Sequence, residues 1–545
     1  MLRLRGWLPY IFASVGTIIV LWQLLLPGYI LLLDTVFGPA HKLVIDSQGF
    51  LNSAPYQLLV YGLGYAMPMW LVEKLILIAI VFALFYFPIQ FFPLSVREEW
   101  QKYVAALFFA INPFVYERFI TGQWLVVAAY AMLMPLAYWA VQSLREYSDR
   151  DAIYGGLIFA LTGVFSLHIL TMTVLAYGVM HLVAMIRKRD VRMLRFAGIM
   201  AVVFLVVSSY WLLPAVMGGA APLRSFGATD SAAFATEPDA LFGVVGNVLA
   251  LSGMWAEGYP ILAHFVVPND AYTFYPCMFA LLALVVLGIW SLLRTRATRL
   301  TGYALMILIV CATIFATGTS DSLFASFNTW LFDHLLIWRG FRDAEKWVAP
   351  LAAAYAVCAA LGAGVIANAW PRFKKAIIAL ACVIPLMFTS AMLFGFNGQV
   401  RPVWYPQVWS AANDILKKDS HCRAVFLPWH EYYNLSFNDS RTTANTAAAF
   451  FDCDIIEASS PDIGPLRGET RPDQSALSNL MLGTSTSDTQ KLVDELKRRG
   501  VTYIIRTHSL SAIEPYSYAF LDNEDFILSY PQSKIDDSIE VYEIQ

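Results

Sequence analysis

The chain has 545 residues, of which 58% are hydrophobic and 15% aromatic, while only 14% carry a charge. Soluble domains average roughly 25% charged residues, so this composition excludes an ordinary soluble protein and indicates one that crosses a membrane several times. The net charge of −3 conceals an asymmetry: from Gly395 onward, 13 Lys and Arg stand against 21 Asp and Glu, which gives −8 there and leaves +5 for the apolar part. This charge distribution argues against a nucleic acid partner.

The first long apolar segment covers residues 8–33 and contains no charged residue. As a helix it is long enough to cross a hydrocarbon core of roughly 30 Å with some tilt. It follows Arg3 and Arg5 but lacks the small-residue cleavage site of a signal peptide, so we interpret it as a retained span. Asp34 comes directly after it, at the predicted membrane surface. Taken alone, Asp34 has the features of a polar residue that ends a helix.

Ten further apolar segments predict a polytopic α-helical membrane protein with about eleven transmembrane helices. These segments are 69–92, 103–120, 124–144, 153–167, 171–186, 196–216, 275–293, 301–317, 348–370 and 376–394. The Lys and Arg residues of the short loops fall on one side of the membrane if the N-terminus is cytoplasmic. Eleven spans then place the C-terminus on the extracytoplasmic side.

Two long loops face outward in this topology. The loop from Asp34 to about residue 68 alternates apolar and polar residues, which predicts a helix lying in the membrane interface. The loop at 217–274 is rich in Gly, Ala and aromatic residues and has few charges. It either folds back over a cavity or is a mobile loop.

From Gly395 the composition becomes that of a soluble domain, so we divide the chain into a membrane domain, 1–394, and an extracytoplasmic domain, 395–545. Helices at 406–418 and 488–499 alternate with strands at 423–428, 501–507, 526–530 and 539–544, which predicts a small α/β sheet. Cys422 and Cys453 either form a disulfide in an oxidising exterior or remain free thiols. No Cys or His spacing predicts a structural metal site.

Three polar clusters lie at predicted outer ends of helices, where a membrane enzyme meets both lipid-borne and water-borne substrates. They contain Asp34 with His41 and Lys42; the run 112–124 with Glu117 and Arg118; and the run 338–347 with Arg339, Arg342, Asp343, Glu345 and Lys346. His168 either lines the same face or is packed, and His181 is interpreted as structural.

The third cluster places cations on the outside, against the bias of the short loops. Arg and Lys at the start of a helix suit an anion such as the phosphate of a lipid-phosphate sugar. The alternative is internal pairing, because Arg342 and Glu345, like Asp343 and Lys346, are spaced i,i+3.

Three motifs together resemble a known family: Asp34, Asn112-Pro-Phe-Val-Tyr-Glu-Arg118 with Gly122-Gln123, and Phe341-Arg-Asp-Ala-Glu-Lys-Trp347. The chain is similar over about residues 3–394 to the GT-C superfamily of polyprenyl-phosphate-sugar glycosyltransferases, and most of all to the membrane portion of the mycobacterial α-(1→3)-arabinofuranosyltransferases. The resemblance implies an active site on the outer face with Asp34 as catalytic base. Arabinosyl members are much longer and carry carbohydrate-binding modules, so the identities of sugar and acceptor do not carry over.

The chemistry that this resemblance implies is an inverting single displacement. Asp34 takes a proton from the acceptor hydroxyl, and the lipid phosphate leaves with its charge held by cations. Arg342 and Lys346 are the expected phosphate ligands, with Arg118 and Arg339 as further candidates. Because the phosphate leaves as an anion, we expect no metal or cofactor to be required.

The remaining candidates, Glu117, Asp343 and His41, are expected to order the site. A retaining reaction would need a second carboxylate, for which Glu117 is the only candidate. The expected partners are a lipid-linked sugar donor, a glycan acceptor and membrane lipids. The alternatives are a transporter or flippase of lipid-linked sugars and a non-catalytic cell-envelope assembly protein. Span interiors with few ionisable groups and no internal repeat argue against a transporter.

Overall fold

The fold is known from a computed structural model, which describes residues 2–43, 45, 50–96, 98–142, 148–188, 192–218, 220–224, 226–258, 271–459, 462–463, 466–467, 474–482, 489–508, 510–511, 521, 532–536 and 538–544. All eleven predicted apolar segments coincide with helices. Their bounds are Leu2–Leu21, Met69–Gln90, Trp100–Ala110 with Pro113–Ile120, Trp124–Ala131 with Leu133–Gln142, Asp149–Phe165, Leu167–Lys188, Arg192–Met217, Ala271–Arg294, Arg299–Ala316, Val348–Ala369 and Lys374–Phe388.

The number of helices able to cross a membrane is smaller than the predicted eleven. Over the described residues, seven helices are long and apolar enough, or nine if each bent pair is one span. The difference falls on two helices. Asp149–Phe165 has 17 residues and begins with three charged ones, and only Leu167–Leu182 of the next helix is apolar. The chain is a multi-pass membrane protein, as the sequence predicts.

One of the bent pairs brings charged residues into the interior. Helices Trp100–Ala110 and Pro113–Ile120 meet at 42°. Asn112 caps the second helix, since its Oδ1 accepts a hydrogen bond from the Val115 N–H at 3.0 Å, and Pro113 follows where no N–H is needed. The helix that starts here carries Glu117 and Arg118, both with fully buried side chains.

The first span ends earlier than the apolar run predicts. Its helix continues as a 3₁₀ turn over Trp22–Leu25 and stops before Pro27 and Gly28. Gly28 has φ +121°, which side-chain-bearing residues rarely adopt, so the helix cannot continue there. The chain then runs on without helix, with Leu31 to Leu33 buried in protein. The prediction of a helix to residue 33 is therefore wrong, because hydropathy does not separate lipid-facing from protein-buried residues.

The first outer loop contains a helix at Ala54–Gly64, none of whose residues is buried. Leu58 and Leu59 are exposed on it, as expected of a helix in the membrane interface. The structure shows no helix at residues 41–43, and residues 44 and 46–49 of the predicted segment lie outside the described part of the chain.

The second outer loop folds back onto the protein over the residues that are described. It forms helices at Ala221–Arg224, Ala228–Ala233 and Gly243–Leu249 and a 3₁₀ turn at Trp255–Gly258. Thr236 Oγ1 donates to the Ala316 carbonyl at 2.7 Å, and Ser320 Oγ donates to the Thr236 carbonyl at 2.7 Å. These bonds support the folded-back alternative.

Short elements connect the last spans, namely helices Ala325–His334, Leu336–Arg339 and Leu393–Asn397 and 3₁₀ turns Ala344–Trp347, Pro371–Phe373 and Ser390–Met392. The polar region that follows contains helices Gln407–Leu416, Ala447–Phe450, Ser475–Met481 and Thr489–Arg498 and a 3₁₀ turn at Ser436–Asn438. Its strands are β1 Arg423–Leu427, β2 Tyr432–Leu435, β3 Arg441–Ala444, β4 Asp454–Ile456, β5 Asp462–Ile463, β6 Leu466–Arg467, β7 Tyr503–Thr507, β8 Leu510–Ser511, β9 Gln532–Asp536 and β10 Ile539–Glu543.

The predicted small α/β sheet is present in this region. Its order is β4-β1-β7-β10-β9, with β1 parallel to both neighbours and β10 antiparallel to β7 and β9. A second sheet has the order β3-β2-β8, and β5 pairs with β6. The predicted strand at 526–530 lies outside the described residues. The second sheet was not predicted, because its strands are at most four residues long.

The C-terminal region packs directly on the first outer loop. The Ala444 N–H donates to the Leu32 carbonyl at 3.3 Å, and the Ala40 N–H donates to the Ala449 carbonyl at 3.0 Å. Lys42 Nζ donates to the carbonyls of Phe451 at 2.9 Å and Cys453 at 2.7 Å. One hydrophobic core therefore runs from the membrane helices into the C-terminal region. The division at residue 395 stays a prediction.

Cys422 and Cys453, left open by the sequence, form a disulfide. The bond joins the residue before β1 to the residue before β4, two strands that pair in parallel. It therefore secures the segment that receives the hydrogen bonds of Lys42.

Candidate functional site

Asp34 is positioned by a tight turn between two membrane helices. The Asp34 N–H donates to the Thr121 carbonyl at 2.8 Å, and Thr35 Oγ1 donates to the Gly122 carbonyl. Gly122 has φ +87°, and a Cβ there would lie 2.8 Å from the Thr35 nitrogen. Only glycine permits this approach, so the turn at 121–123 and the segment at 34–35 form one rigid unit.

The Asp34 carboxylate is the accessible acid of this unit. Its side chain is exposed to solvent, while nearby protein partly desolvates the carboxylate. Gln123 Nε2 donates to Asp34 Oδ2 at 2.8 Å. The surrounding protein raises the pKa of Asp34 above its ordinary value, while the hydrogen bond from Gln123 and the charge of Lys346 act in the opposite direction. A raised pKa makes a carboxylate a stronger base.

Arg118 connects the second and third sequence motifs. Its guanidinium donates to Gln123 Oε1 at 2.7 Å and to both Asp343 oxygens, at 2.6 and 3.0 Å, and it also bonds to Glu345. The Arg118 side chain has no exposed surface. This two-pronged contact with Asp343 is the geometry that guanidinium and carboxylate groups favour.

Asp343 receives two cations. Besides Arg118, Lys346 Nζ lies 3.4 Å from Asp343 Oδ2. Burial raises the pKa of Asp343, but Arg118 and Lys346 outweigh it and hold the pKa below the ordinary value. A continuous chain of side chains therefore runs from Asp34 through Gln123, Arg118 and Asp343 to Lys346, and we call it the Asp34–Lys346 relay.

Arg342 has a different partner from the one that spacing suggests. Its Nη1 bonds to Asp230 Oδ1 at 3.2 Å, and its guanidinium lies 4.1 and 4.6 Å from the ring centres of Phe226 and Phe234. The alternative pairing of Arg342 with Glu345 is not formed, because Glu345 turns to Arg118. The pairing of Asp343 with Lys346 is formed. The Arg342 side chain remains 30% exposed.

Glu117 lies on the buried side of this arrangement. Ser252 Oγ donates to Glu117 and also lies 2.8 Å from Glu257 Oε1. These contacts fasten the second outer loop to the helix that carries Arg118. Because the Glu117 side chain is fully buried, a direct substrate contact would require the loop around Ser252 to move.

Two candidates lie apart from the relay. His41 stacks on Tyr61 with 4.5 Å between ring centres, and its Nε2 is 2.7 Å from the Tyr61 carbonyl oxygen, so it contacts the interfacial helix. Arg339 is half-buried, and the described part of the chain provides it with no ion pair. The structure thus brings together Asp34, Arg118, Asp343 and Lys346, with Arg342 directly before Asp343 in the chain, but neither His41 nor Arg339.

Several contacts were not predicted from the sequence. Gln123 belongs to a quoted motif, yet nothing local shows that it joins Asp34 to Arg118. Asp230 is the single charged residue between Arg224 and Glu237, and this isolation is the only sequence signal for it. His168 Nε2 lies 2.7 Å from the Gly340 carbonyl oxygen, so His168 packs against the third cluster.

A cavity of 460 Å³ lies away from this site, on the surface of the C-terminal region, and its lining residues are Arg423, Ile456, Gln474, Arg498 and Arg499. Its arginines already bond to Asp454 and Glu495. The cavity therefore offers little free positive charge, and we assign it no role.

The described residues thus form a multi-pass helical fold with a carboxylate on the first outer loop and a buried arginine relay behind it. Solved structures that share this fold include that of the arabinofuranosyltransferase AftD from Mycobacteria. The chain is 14% identical to it with a TM-score of 0.66, and the match covers 99% of this chain and 40% of AftD. Two structures of an AftD mutant match with TM-scores of 0.60 and 0.57.

These matches establish a shared fold that includes the C-terminal region, and the chain spans less than half the length of AftD. No protein-family model and no curated protein sequence matches the chain. Sequence similarity therefore adds nothing to the structural match.

Proposed function

We propose that the chain is a GT-C glycosyltransferase that transfers a sugar from a polyprenyl-phosphate donor to a glycan acceptor on the extracytoplasmic face of the membrane. The observation that carries this proposal is the Asp34–Lys346 relay, which has an accessible carboxylate at one end and a partly exposed ammonium group at the other. The fold that the chain shares with the arabinofuranosyltransferase AftD supports it.

The proposed reaction is a single displacement that inverts the anomeric carbon. Asp34 accepts the proton of the acceptor hydroxyl while the acceptor oxygen forms a bond to the anomeric carbon. The bond from this carbon to the phosphate oxygen breaks, and its electron pair leaves with the polyprenyl phosphate. Lys346 and Arg342 compensate the phosphate charge, so the leaving group needs no protonation and the step needs no metal or cofactor.

Arg118 has a positioning role in this proposal. Because it is fully buried and bonded to Gln123, Asp343 and Glu345, the donor phosphate cannot reach it in this arrangement. It fixes Gln123, which orients the base, and Asp343, which orients Lys346. Glu117 supports the same helix through Ser252.

A transporter of lipid-linked sugars remains the second candidate function. A transporter would use Lys346 and Arg342 to bind the phosphate, but the reaction alone requires an accessible base at the other end of the relay. The two functions therefore differ in their need for the Asp34 carboxylate.

The decisive experiment measures transfer of radiolabelled sugar from synthetic polyprenyl-phosphate sugars by the purified protein and its Asp34→Asn variant. We expect the variant to bind donor normally and to lose transfer by about 100-fold or more. Asp414→Asn, an exposed acid on the helix Gln407–Leu416, is the matched control and should keep full transfer. Equal transfer by wild type and Asp34→Asn would overturn the proposal, and donor binding without transfer in the wild type favours the transporter.

A further inference from the structure

Strand β2 of the C-terminal region brings an aromatic residue next to the loop of Asp34. Tyr432, the first residue of β2, is paired with Ala444 of β3, and the Ala444 N–H donates to the Leu32 carbonyl at 3.3 Å. The edge of this sheet therefore lies against residues 32–33, directly before Asp34.

Tyr432 packs on a cluster that joins three parts of the chain. Leu33 of the first outer loop and Trp255 of the second form its buried centre, and Phe234 and Tyr432 pack against them. Phe234 also contacts the Arg342 guanidinium, whose carbon lies 4.6 Å from the centre of the Phe234 ring. Tyr432 thus lies between the elements that hold Asp34 and Arg342.

The electrostatic surroundings of Tyr432 agree with this location. Its phenol is close enough to Asp34 and Arg342 to feel the charge of both, and the carboxylate of the neighbouring Glu431 acts on it more strongly than either. Burial, followed by the negative charges of Glu431 and Asp34, raises the pKa of Tyr432 well above its ordinary value, so the phenol is neutral at physiological pH. The side chain is half-buried, which leaves part of it open to a ligand.

We infer that Tyr432 forms the acceptor side of the Asp34 site, where its ring stacks on a sugar of an uncharged acceptor glycan and places the attacking hydroxyl at Asp34. This inference rests on the proposed function. It assigns the C-terminal region a direct part in binding the substrate.

The charges around Tyr432 select a neutral carbohydrate. Asp34 and Glu431 repel an anionic acceptor, and in the proposed reaction the charge of Arg342 is directed to the donor phosphate. An aromatic ring provides an apolar face for the C–H groups of a sugar, and carboxylates accept hydrogen bonds from its hydroxyls. In this inference the aromatic ring, and not the hydroxyl, is the part of Tyr432 that recognises the ligand.

The test measures equilibrium binding of short neutral oligosaccharides of arabinofuranose, mannose, galactose and glucose to the full-length protein in lipid nanodiscs. The variants are Tyr432→Ala, which removes the ring, and Tyr432→Phe, which keeps it. Tyr303→Ala, an exposed tyrosine on the helix Arg299–Ala316, is the control. The affinity for a radiolabelled polyprenyl-phosphate sugar is measured in parallel.

We expect Tyr432→Ala to bind the neutral oligosaccharide about tenfold more weakly, with donor affinity unchanged. Tyr432→Phe and Tyr303→Ala should stay within about twofold of the wild type, and glucuronate-containing oligosaccharides should bind more weakly than neutral ones. The inference is overturned if Tyr432→Ala binds as tightly as the wild type, if it loses donor affinity equally, or if no oligosaccharide of the panel binds. Normal acceptor binding without any transfer would instead refute the proposed function.

Discussion

Gln123 donates its side-chain N–H to Asp34 at 2.8 Å, a bond between residues 89 positions apart in the chain. The oxygen of the same carboxamide accepts from Arg118 at 2.7 Å. Because a guanidinium only donates and a carboxylate only accepts, the orientation of this amide is unambiguous. Gln123 therefore aligns Asp34 with a buried positive charge that never contacts solvent.

The first prediction concerns this alignment. Gln123→Leu keeps the size of the side chain but frees the Asp34 carboxylate to rotate, so we expect the rate of sugar transfer to fall by roughly tenfold to 100-fold. Donor affinity should stay within about twofold, because the phosphate ligands are untouched. Gln407→Leu, at an exposed position, serves as the control. A full transfer rate in Gln123→Leu would show that the alignment is unimportant.

The second prediction concerns Arg118. Arg118→Met leaves the buried Glu345 carboxylate without its cation and Asp343 with Lys346 alone, which costs about 3–5 kcal/mol of folding free energy for a broken buried pair. Thermal denaturation in detergent should show a clear fall in Tm. Arg195→Met breaks an exposed ion pair with Asp149 and should leave Tm nearly unchanged. Similar Tm values for both variants would contradict a structural role for Arg118.

The third prediction separates the phosphate ligands. Charge-assisted hydrogen bonds contribute about 1.5–3 kcal/mol, so Lys346→Gln and Arg342→Gln should each weaken binding of a polyprenyl-phosphate sugar by roughly tenfold to 100-fold. Arg339→Gln should have a much smaller effect, because the structure does not bring Arg339 together with Asp34, Asp343 and Lys346. Equilibrium binding of radiolabelled donor measures all three. A large effect confined to Arg339→Gln would relocate the phosphate site.

The fourth prediction follows from the raised pKa of Asp34. Transfer should decline as the pH falls through a value above the ordinary aspartate pKa of about 3.9, because protonated Asp34 accepts no proton. The hydrogen bond from Gln123 lowers the pKa of Asp34, so the Gln123→Leu variant should lose activity at a higher pH than the wild type. Transfer rates measured from about pH 4 to about pH 8, where folded proteins are generally stable, show whether the variant loses activity at a higher pH than the wild type.

The raised pKa of Asp34 also predicts an effect on the stability of the folded protein. A group whose pKa is higher in the folded state binds protons more tightly there, so its contribution to stability is present at low pH and is lost as the pH rises through the folded value. Ionised Asp34 therefore destabilises the protein at neutral pH. Asp34→Asn should raise Tm at pH 7, and the difference should vanish in acid. A lower Tm for Asp34→Asn at pH 7 would contradict the raised pKa.

Local patterns in the sequence were sufficient to predict most of the membrane helices. Each apolar run corresponds to a helix because burial and backbone hydrogen bonding in a membrane leave few other solutions. The end of the first helix was misjudged because residues 26–33 are apolar for a different reason. Residues 28–33 are buried in protein, in part by contacts with the C-terminal region, and hydropathy does not show what covers a residue.

The candidate site was predictable in its members but not in its contacts. Asp34, Arg118, Asp343 and Lys346 all stand in motifs, and the structure brings them together. The partner of Arg342 is Asp230, 112 residues away, and no local spacing points to it. The i,i+3 spacing suggests Glu345 as the partner of Arg342. Glu345 pairs with Arg118 instead, because an ion pair is stronger with the buried Arg118 than with the more exposed Arg342.

Lys42 reaches a carbonyl oxygen 411 residues later in the chain, and Ala40 is held by the same segment. While the polypeptide is being made and inserted, the loop of Asp34 has no such anchor, since contacts of this separation form only after everything between them exists. The loop of Asp34 is thus anchored only after residue 453 has been made. A chain truncated before that residue can insert its membrane helices and still lack the anchored loop.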